Sequence, residues 1–217
     1  MSNKNYTVLH LHSDLSNGVT NIDSVTKYDE YIDYAHSLGM KAMAFSEHGS
    51  IFQWLKKKNH MEELGMRYIH AEEFYITEKL YDEDGKKIRD NYHCLIIAKN
   101  EDGFHELNRL SSLAFDDEHK YYVPRITLDE LFNTSNNLII STACIGNVLY
   151  SGNESSKKRF LNFLIKNKDR CYLEIQHHND DKQGEYNKYL YELINIHTAF
   201  IFSNKSKSNI DMNKIVS

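Results

Sequence analysis

The sequence predicts an α/β fold in which seven short strands alternate with helices. Two observations support this prediction: apolar runs of strand length recur along the chain, and most are separated by segments whose apolar residues have helical spacing. The predicted strands are 6–12, 41–46, 66–77, 92–99, 137–143, 170–176 and 198–203. Such alternation is typical of a parallel sheet with helical crossovers, either open or closed into a barrel. At 217 residues the chain is long enough for one substantial domain, or at most two small ones.

The boundaries of the predicted helices are marked by capping residues. The predicted helices are 21–39, 51–65, 102–115, 127–132, 155–167 and 183–197. The first has Asp23 or Ser24 as its N-cap and Gly39 just past its last turn, and the second ends at Gly65. A polar turn at 81–87 separates the third strand from the fourth. These signals place helices between most pairs of successive strands.

Composition and charge exclude several classes of function. The chain is 41% hydrophobic and 26% charged with a net charge of −5, so it lacks the basic surface of a general nucleic-acid binder. The first residues lack the pattern of a signal peptide, and the longest apolar runs are too short to span a bilayer. We therefore expect no membrane partner. Three cysteines without a CxxC spacing favour the reducing cytoplasm over a disulfide framework.

Side chains that can bind metal recur at the ends of the predicted strands. In folds of this class the active site forms at the carboxyl ends of the strands. Five of the seven predicted strands deliver imidazole, carboxylate or thiol groups there. These groups are His10 and His12, Glu47 and His48, Glu72 and Glu73, Cys144, and His177 and His178. His93 is the exception, because it begins the fourth predicted strand.

This set of donor groups indicates a metal site. Imidazole nitrogen, carboxylate oxygen and thiolate are ligands that Zn²⁺, Mn²⁺ or Fe ions accept. More than four such groups at one edge favour two or three ions, as is typical of phosphoester chemistry. His10 and His12 taken alone would equally suit a solvated strand end. The lysines at 56–58 are interpreted as a solvated helix face, and His70 as a structural residue or a neighbour of the site.

Seven motifs in a fixed order carry a family resemblance. They are HLHSDLSNG, AFSEHGSIF, YIHAEEFYI, NYHCLIIAKNEDGFHELNRL, YYVPRITLDEL, IISTACIG and YLEIQHHN. Over residues 7–203 the series resembles the polymerase-and-histidinol-phosphatase (PHP) domain, in the form at the N-terminus of the bacterial DNA polymerase III alpha subunit. The resemblance implies a single domain over 1–217, a distorted seven-stranded β/α barrel, and a cluster of two or three divalent ions.

The resemblance also implies roles for particular residues. The implied metal ligands are His10, His12, His48, Glu72, His93 and Cys144. Catalytic roles fall to Glu72, which would bridge two ions, to His48, and to His178 near the site. Glu47 stands where Asp is usual in the family.

Two departures from the family pattern indicate an incomplete metal site. Asn17 stands where many PHP domains have an Asp. Lys205 and Lys207 occupy positions where the resemblance leads us to expect an Asp and a His, and a charged ammonium group cannot bind a metal. The tail 204–217 is therefore interpreted as diverged or truncated, with one ion lost.

Three functions remain open from the sequence. The first is a PHP-type metal-dependent phosphoesterase, acting on a phosphomonoester or a nucleic-acid 3′ end in the context of DNA replication. The second is a catalytically degenerate PHP domain that supports the fold or binds replication proteins. The third, an amidohydrolase-type metalloenzyme, lacks the expected lysine on a strand and the late aspartate. Polymerase activity is not expected from this chain alone.

Overall fold

The computed structural model describes residues 6–18 and 23–202. The strands are β1 (Ala42–Phe45), β2 (Arg67–Thr77), β3 (Tyr92–Ala98), β4 (Arg125–Thr127), β5 (Leu138–Ser141) and β6 (Cys171–Tyr172). The helices are α1 (Tyr28–Ser37), α2 (Trp54–Glu63), α3 (Glu101–Ala114), α4 (Leu128–Phe132), α5 (Val148–Ser151), α6 (Glu154–Lys166) and α7 (Asp181–Phe202), and a 3-10 turn covers Asp14–Gly18. None of the described helices is both long and apolar enough to cross a bilayer.

The strands form one mixed sheet. Its order is β1-β2-β3-β5-β6, and β4 also pairs with β2. β3 runs antiparallel to both of its neighbours, whereas the β1–β2, β2–β4 and β5–β6 pairs are parallel. The prediction of an α/β fold is therefore confirmed. The prediction of an entirely parallel sheet is wrong, and a closed seven-stranded barrel is not confirmed.

The first predicted strand is an extended segment with little ladder pairing. Val8 makes an isolated parallel bridge to Met43 of β1, and the Ser46 N–H donates to the Leu11 carbonyl over 2.9 Å. The Leu11 N–H, however, donates to the Ser46 hydroxyl over 2.9 Å and not to a backbone carbonyl. A side-chain hydrogen bond thus replaces one of the backbone hydrogen bonds that a regular strand pair would make. The segment therefore follows the edge of β1 without becoming a regular strand.

The last predicted strand, 198–203, is wrong over its described part. Residues up to Phe202 continue α7, while residue 203 and the tail 204–217 with Lys205 and Lys207 lie outside the described residues. A short apolar run is compatible with a strand or with a buried helix, and here the preceding helix continues through it. Conversely, β4 was not predicted, because three residues are too few to show a period.

β2 organises both the core and the site, because successive residues of a strand face opposite sides of the sheet. Phe74 and Ile76 lie in the main hydrophobic core, which the sheet forms with α3, α6 and α7. Ala71 lies in a separate small cluster with Leu95 of β3. The even-numbered residues from 72 to 76 therefore face the core, and the odd-numbered ones face the other side.

Candidate metal centre

Glu73 is the centre of a cluster of four imidazoles. It lies on the odd-numbered side of β2 and is 1% exposed. Its Oε2 lies 3.3 Å from His10 Nε2, 2.9 Å from His12 Nε2 and 3.1 Å from His48 Nδ1. Its Oε1 lies 3.2 Å from His93 Nδ1. One carboxylate thus contacts all four histidines that the sequence predicts as ligands.

The donor atoms form two groups that share Glu73. One group is His10, His12 and Glu73, the other is His48, Glu73 and His93, and the donor atoms within each group lie within 4.8 Å of one another. Oε2 of Glu73 faces three imidazole nitrogens, although a carboxylate oxygen has only about two lone pairs to accept hydrogen bonds. Divalent ions between the carboxylate and the imidazoles would relieve this crowding. The donor set therefore fits Zn²⁺, Mn²⁺ or Fe ions.

The reversed direction of β3 explains the position of His93. The register pairs His93 with Tyr75, near the carboxyl end of β2. Because β3 is antiparallel to its neighbours, its first residues lie at the edge where β2 and β5 end. His93 is therefore an exception only under the assumption of a parallel sheet.

Cys144 joins the cluster from the turn after β5. Its Sγ lies 3.2 Å from His93 Nδ1 and accepts the Gly146 N–H over 3.3 Å. The preceding Ala143 has φ +57°, a left-handed conformation that costs a residue with a Cβ about 1–2 kcal/mol. This turn directs the thiol toward His93 at the expense of local backbone strain.

His48 is presented by a tight turn that requires glycine. Gly49 has φ +55°, and a Cβ at this position would lie 2.9 Å from Pro124 Cγ and 3.1 Å from the Tyr75 ring. The Gly49 N–H donates to the Glu73 carbonyl over 2.8 Å. The turn after β1 is thereby fixed to β2, and His48 is held beside the Glu73 carboxylate.

The structure does not bring Glu72 into the cluster. Glu72 is 0% exposed and faces the hydrophobic core on the opposite side of β2. Burial raises its pKa to about 8, and Ser111 of α3 offsets this only in part. The acidic residue at the centre is thus Glu73, one position later than expected. The signal for this was present, since a residue in phase with Phe74 and Ile76 must face the core.

The imidazoles of the cluster differ in their preferred charge. Burial alone would raise the pKa of Glu73, but the positive charge on His10 and contacts with the other imidazoles hold it well below its usual range. Burial also opposes protonation of His93, yet Cys144 and Glu73 raise its pKa to about 10. Burial lowers the pKa of His48 to about 4. Without an ion, His48 thus favours the neutral form that metal ligation requires, whereas His93 must release a proton to bind.

A second carboxylate, Glu174, lies behind His10 and is 3% exposed. His10 Nδ1 donates to Glu174 Oε1 over 2.5 Å, and Gln176 Nε2 donates to the same oxygen over 2.7 Å. The Ser141 hydroxyl donates to Glu174 Oε2 over 3.0 Å. Metal-binding histidines commonly donate their second ring N–H to such a carboxylate. Glu174 was not predicted as a site residue, although it lies within the predicted strand 170–176, two residues past the end of β6.

A buried ion pair lies beneath the turn that carries His48. Lys57 of α2 is 1% exposed, and its Nζ lies 2.6 Å from Glu47 Oε1 and 4.7 Å from the centre of the Phe45 ring. Burial lowers the pKa of Lys57, although Glu47 opposes the shift. The interpretation of 56–58 as a solvated face is therefore wrong for Lys57.

Glu47 also connects two segments that carry cluster histidines. Its carboxylate accepts the Ser13 hydroxyl over 2.5 Å and the Ser16 hydroxyl over 2.6 Å. The same Ser16 hydroxyl accepts the His48 N–H over 3.1 Å. The segment that follows His12 is thereby joined to the turn at His48, which fixes the spacing between these two imidazoles.

Three other candidate histidines lie outside the cluster. His177 and His178 are exposed, and His178 Nε2 donates to Gln176 Oε1 over 3.0 Å. Among the described residues, Gln176 connects His178 to Glu174 behind the cluster. His70 is buried beside the rings of Trp54 and Phe104, which favours its structural interpretation.

The fold and the cluster define a class of protein, a mixed α/β domain in which imidazoles and a carboxylate meet at one sheet edge as candidate ligands for divalent ions. The PHP domain model matches residues 9–178. The chain belongs to the PHP domain family.

The chain is similar to DNA polymerase III subunit alpha of two bacteria. It is 32% identical over 192 residues to that of Borreliella burgdorferi and 32% identical over 202 residues to that of Aquifex aeolicus. These matches cover 84% and 88% of this chain, which spans only 16% and 17% of the length of those relatives.

A solved structure from Bifidobacterium adolescentis, provisionally named a metal-dependent phosphoesterase, has a similar fold. The TM-score is 0.50 at 15% identity, and the match covers 88% of this chain and 84% of that one. At this identity the likeness supports the fold alone.

Proposed function

We propose that the chain is a PHP-type metal-dependent phosphoesterase module that hydrolyses a phosphomonoester or a nucleic-acid 3′ end. The observation that carries this proposal is the convergence of four imidazoles on the two oxygens of Glu73. Divalent ions bound there would polarise a phosphoryl oxygen and lower the pKa of an attacking water. Membership of the PHP family supports hydrolase chemistry in general.

Each side chain of the centre has a proposed task. The proposed metal ligands are His10, His12, His48, Glu73, His93 and Cys144. Glu73, and not Glu72, would take the bridging role if two ions are bound, because its two oxygens face different imidazoles. The exposed side chain of His178 supports a role in contacting the substrate and donating a proton to the leaving group.

A second candidate is a catalytically silent PHP module in the replication machinery. Asn17, in place of the usual Asp, favours this alternative. The relation to DNA polymerase III alpha subunits supports replication proteins as partners in either case. The free thiols of Cys94, Cys144 and Cys171 support a cytoplasmic location.

Elemental analysis combined with hydrolysis assays tests the proposed function. We expect the chain, purified without a metal-affinity tag, to retain divalent ions and to hydrolyse p-nitrophenyl phosphate or a 3′-labelled oligonucleotide until a chelator is added. Glu73→Gln should lose both the metal and the activity, whereas the matched control Glu72→Gln should keep both. Bound metal without hydrolysis would favour the silent module. A wild-type chain that binds no metal would contradict the centre itself.

A further inference from the structure

Asn17 holds the segment that leads into α1. Its Nδ2 donates to the Ser24 carbonyl over 2.6 Å, and its Oδ1 accepts the Asp23 N–H over 2.7 Å. The Asp14 N–H donates to the Thr26 carbonyl over 3.0 Å and joins the same two segments. Asn17, at the usual Asp position, thus binds the backbone of residues 23 and 24.

This contact brings the Asp23 carboxylate to the outer side of His48. Asp23 Oδ2 lies 3.5 Å from His48 Nε2, while Nδ1 of the same ring lies 3.1 Å from Glu73 Oε2. An imidazole binds a metal through an unprotonated nitrogen. If Nδ1 binds an ion beside Glu73, the proton must lie on Nε2, which faces Asp23. Asp23 is therefore positioned as the acceptor that this tautomer needs.

The opposite side of the cluster has the same arrangement. His10 directs Nε2 to Glu73 over 3.3 Å and Nδ1 to Glu174 over 2.5 Å. The Asp23 contact is longer, and the Asp23 side chain is 30% exposed where that of Glu174 is 3% exposed. Both histidines thus lie between the central carboxylate and an outer one, with the Asp23 side more open to solvent.

We propose that Asp23 is the positioning residue for His48 and that Asn17 holds Asp23 in place. Outer carboxylates of this kind fix the tautomer and the ring orientation of a metal-binding histidine, and their loss typically weakens metal binding about 10–100-fold. Asn17 then acts as a support for a carboxylate supplied by a neighbouring segment, and not as a ligand. This inference rests on the proposed metal centre.

Zn²⁺ titration of the chelator-treated chain, in competition with a chromophoric chelator, tests the proposal. We expect the Kd of Asp23→Ala to rise about 10–100-fold, with the number of bound ions unchanged. Asp23→Asn keeps a neutral hydrogen-bond acceptor, so its Kd for Zn²⁺ should lie between those of Asp23→Ala and the wild type. If the alanine variant fails to fold, Asp23→Asn replaces it in the comparison. Asn17→Ala should also raise the Kd for Zn²⁺, because Asp23 would lose its support. Asp117→Ala, at an exposed aspartate in the turn after α3, is the control.

Imidazole ¹⁵N NMR of the Zn²⁺-loaded chain gives a second readout. His48 should carry its proton on Nε2 in the wild type, and this signal should broaden or shift in Asp23→Ala. A Kd for the Asp23 variants within twofold of that of Asp117→Ala would overturn the proposal. Loss of one ion from the stoichiometry would also overturn it, because Asp23 would then be a ligand. A wild type that binds no Zn²⁺ would overturn both this proposal and the metal centre, whereas unaffected Asp23 variants would leave the centre standing.

Discussion

Glu72 and Glu73 are neighbours in β2, chemically identical and both buried, yet their carboxyl groups have opposite electrostatic character. Glu72 faces the hydrophobic core, where burial raises its pKa to about 8. Glu73 faces the imidazoles, which hold its pKa well below its usual range despite burial. A step of one residue along a pleated strand therefore decides whether a buried carboxyl is held neutral or anionic. Burial alone does not identify a ligand; the side of the strand does.

The largest expected effect is the difference in activity between Glu73→Gln and Glu72→Gln. Glu73→Gln removes the charge that both ligand groups share, so kcat/KM should fall at least about 100-fold even with Zn²⁺ or Mn²⁺ added. Glu72→Gln replaces a carboxyl that burial already disfavours as an anion, so its kcat/KM should stay close to the wild-type value. Steady-state kinetics with p-nitrophenyl phosphate measures both. Equal losses in the two variants would remove the distinction between the two sides of β2.

A third buried carboxylate, Glu47, extends the comparison because a lysine neutralises it. Lys57→Met leaves the Glu47 charge buried and unpaired, which should lower the free energy of unfolding by about 3–5 kcal/mol. The neighbouring Lys58, in an exposed pair with Glu62, is the matched control, and Lys58→Met should cost less than about 0.5 kcal/mol. Urea denaturation compares them. If the double variant with Glu47→Gln is no more stable than Lys57→Met alone, the pair is not the cause.

The pH dependence of stability sharpens the comparison on the Glu72 side. The pKa of Glu72 is about 8 in the fold against 4.5 for the ordinary group, so the contribution of Glu72 to the free energy of unfolding is largest below the lower value and declines as the pH rises toward the upper one. The decline is about 1.4 kcal/mol per pH unit in that window. Glu72→Gln removes this pH-dependent contribution. The free energy of unfolding of the variant should therefore increase relative to that of the wild type between pH 5 and pH 8. Urea unfolding at both values checks this; parallel pH profiles would contradict it.

The smallest expected effect concerns His119, which bonds two more accessible carboxylates away from the centre. Burial opposes its protonation, but Glu130 and Asp116 raise its pKa. The stabilisation is therefore complete below the ordinary histidine pKa and is lost as the pH rises through the raised one. His119→Gln should lower Tm slightly at pH 5.5 and less at pH 9. Thermal melts at the two values measure this, and an equal loss at both would assign the effect to packing.

Most of the cluster could be predicted from the sequence, because ordered motifs report side-chain chemistry directly. His10, His12, His48, His93 and Cys144 were predicted as ligands, and the structure brings all five together around Glu73. Their roles as ligands stay predictions. The choice between the two adjacent glutamates failed because it followed the motif, whereas the two-residue period of β2 decides which carboxyl faces the histidines.

Other features depend on information that no local window contains. The direction of β3 is set by pairing with strands that are distant in the sequence, and a parallel β3 would place His93 at the opposite edge of the sheet. Lys57 lies between an exposed and a half-buried lysine, and the position of Glu47 explains its burial. The apolar run before residue 203 fits a helix as well as a strand. Pairing direction and burial of single charges are properties of the assembled fold.

The contact between His10 and Glu174 joins positions 164 residues apart along the chain. In the described part of the chain, the segment that carries His10 is joined to β1 by an isolated bridge and a few hydrogen bonds and not by a regular ladder. During synthesis, the first histidines thus emerge from the ribosome long before the carboxylate that orients one of them. Closing so long a loop is entropically costly, so we expect metal uptake to be a late event that marks completion of the domain.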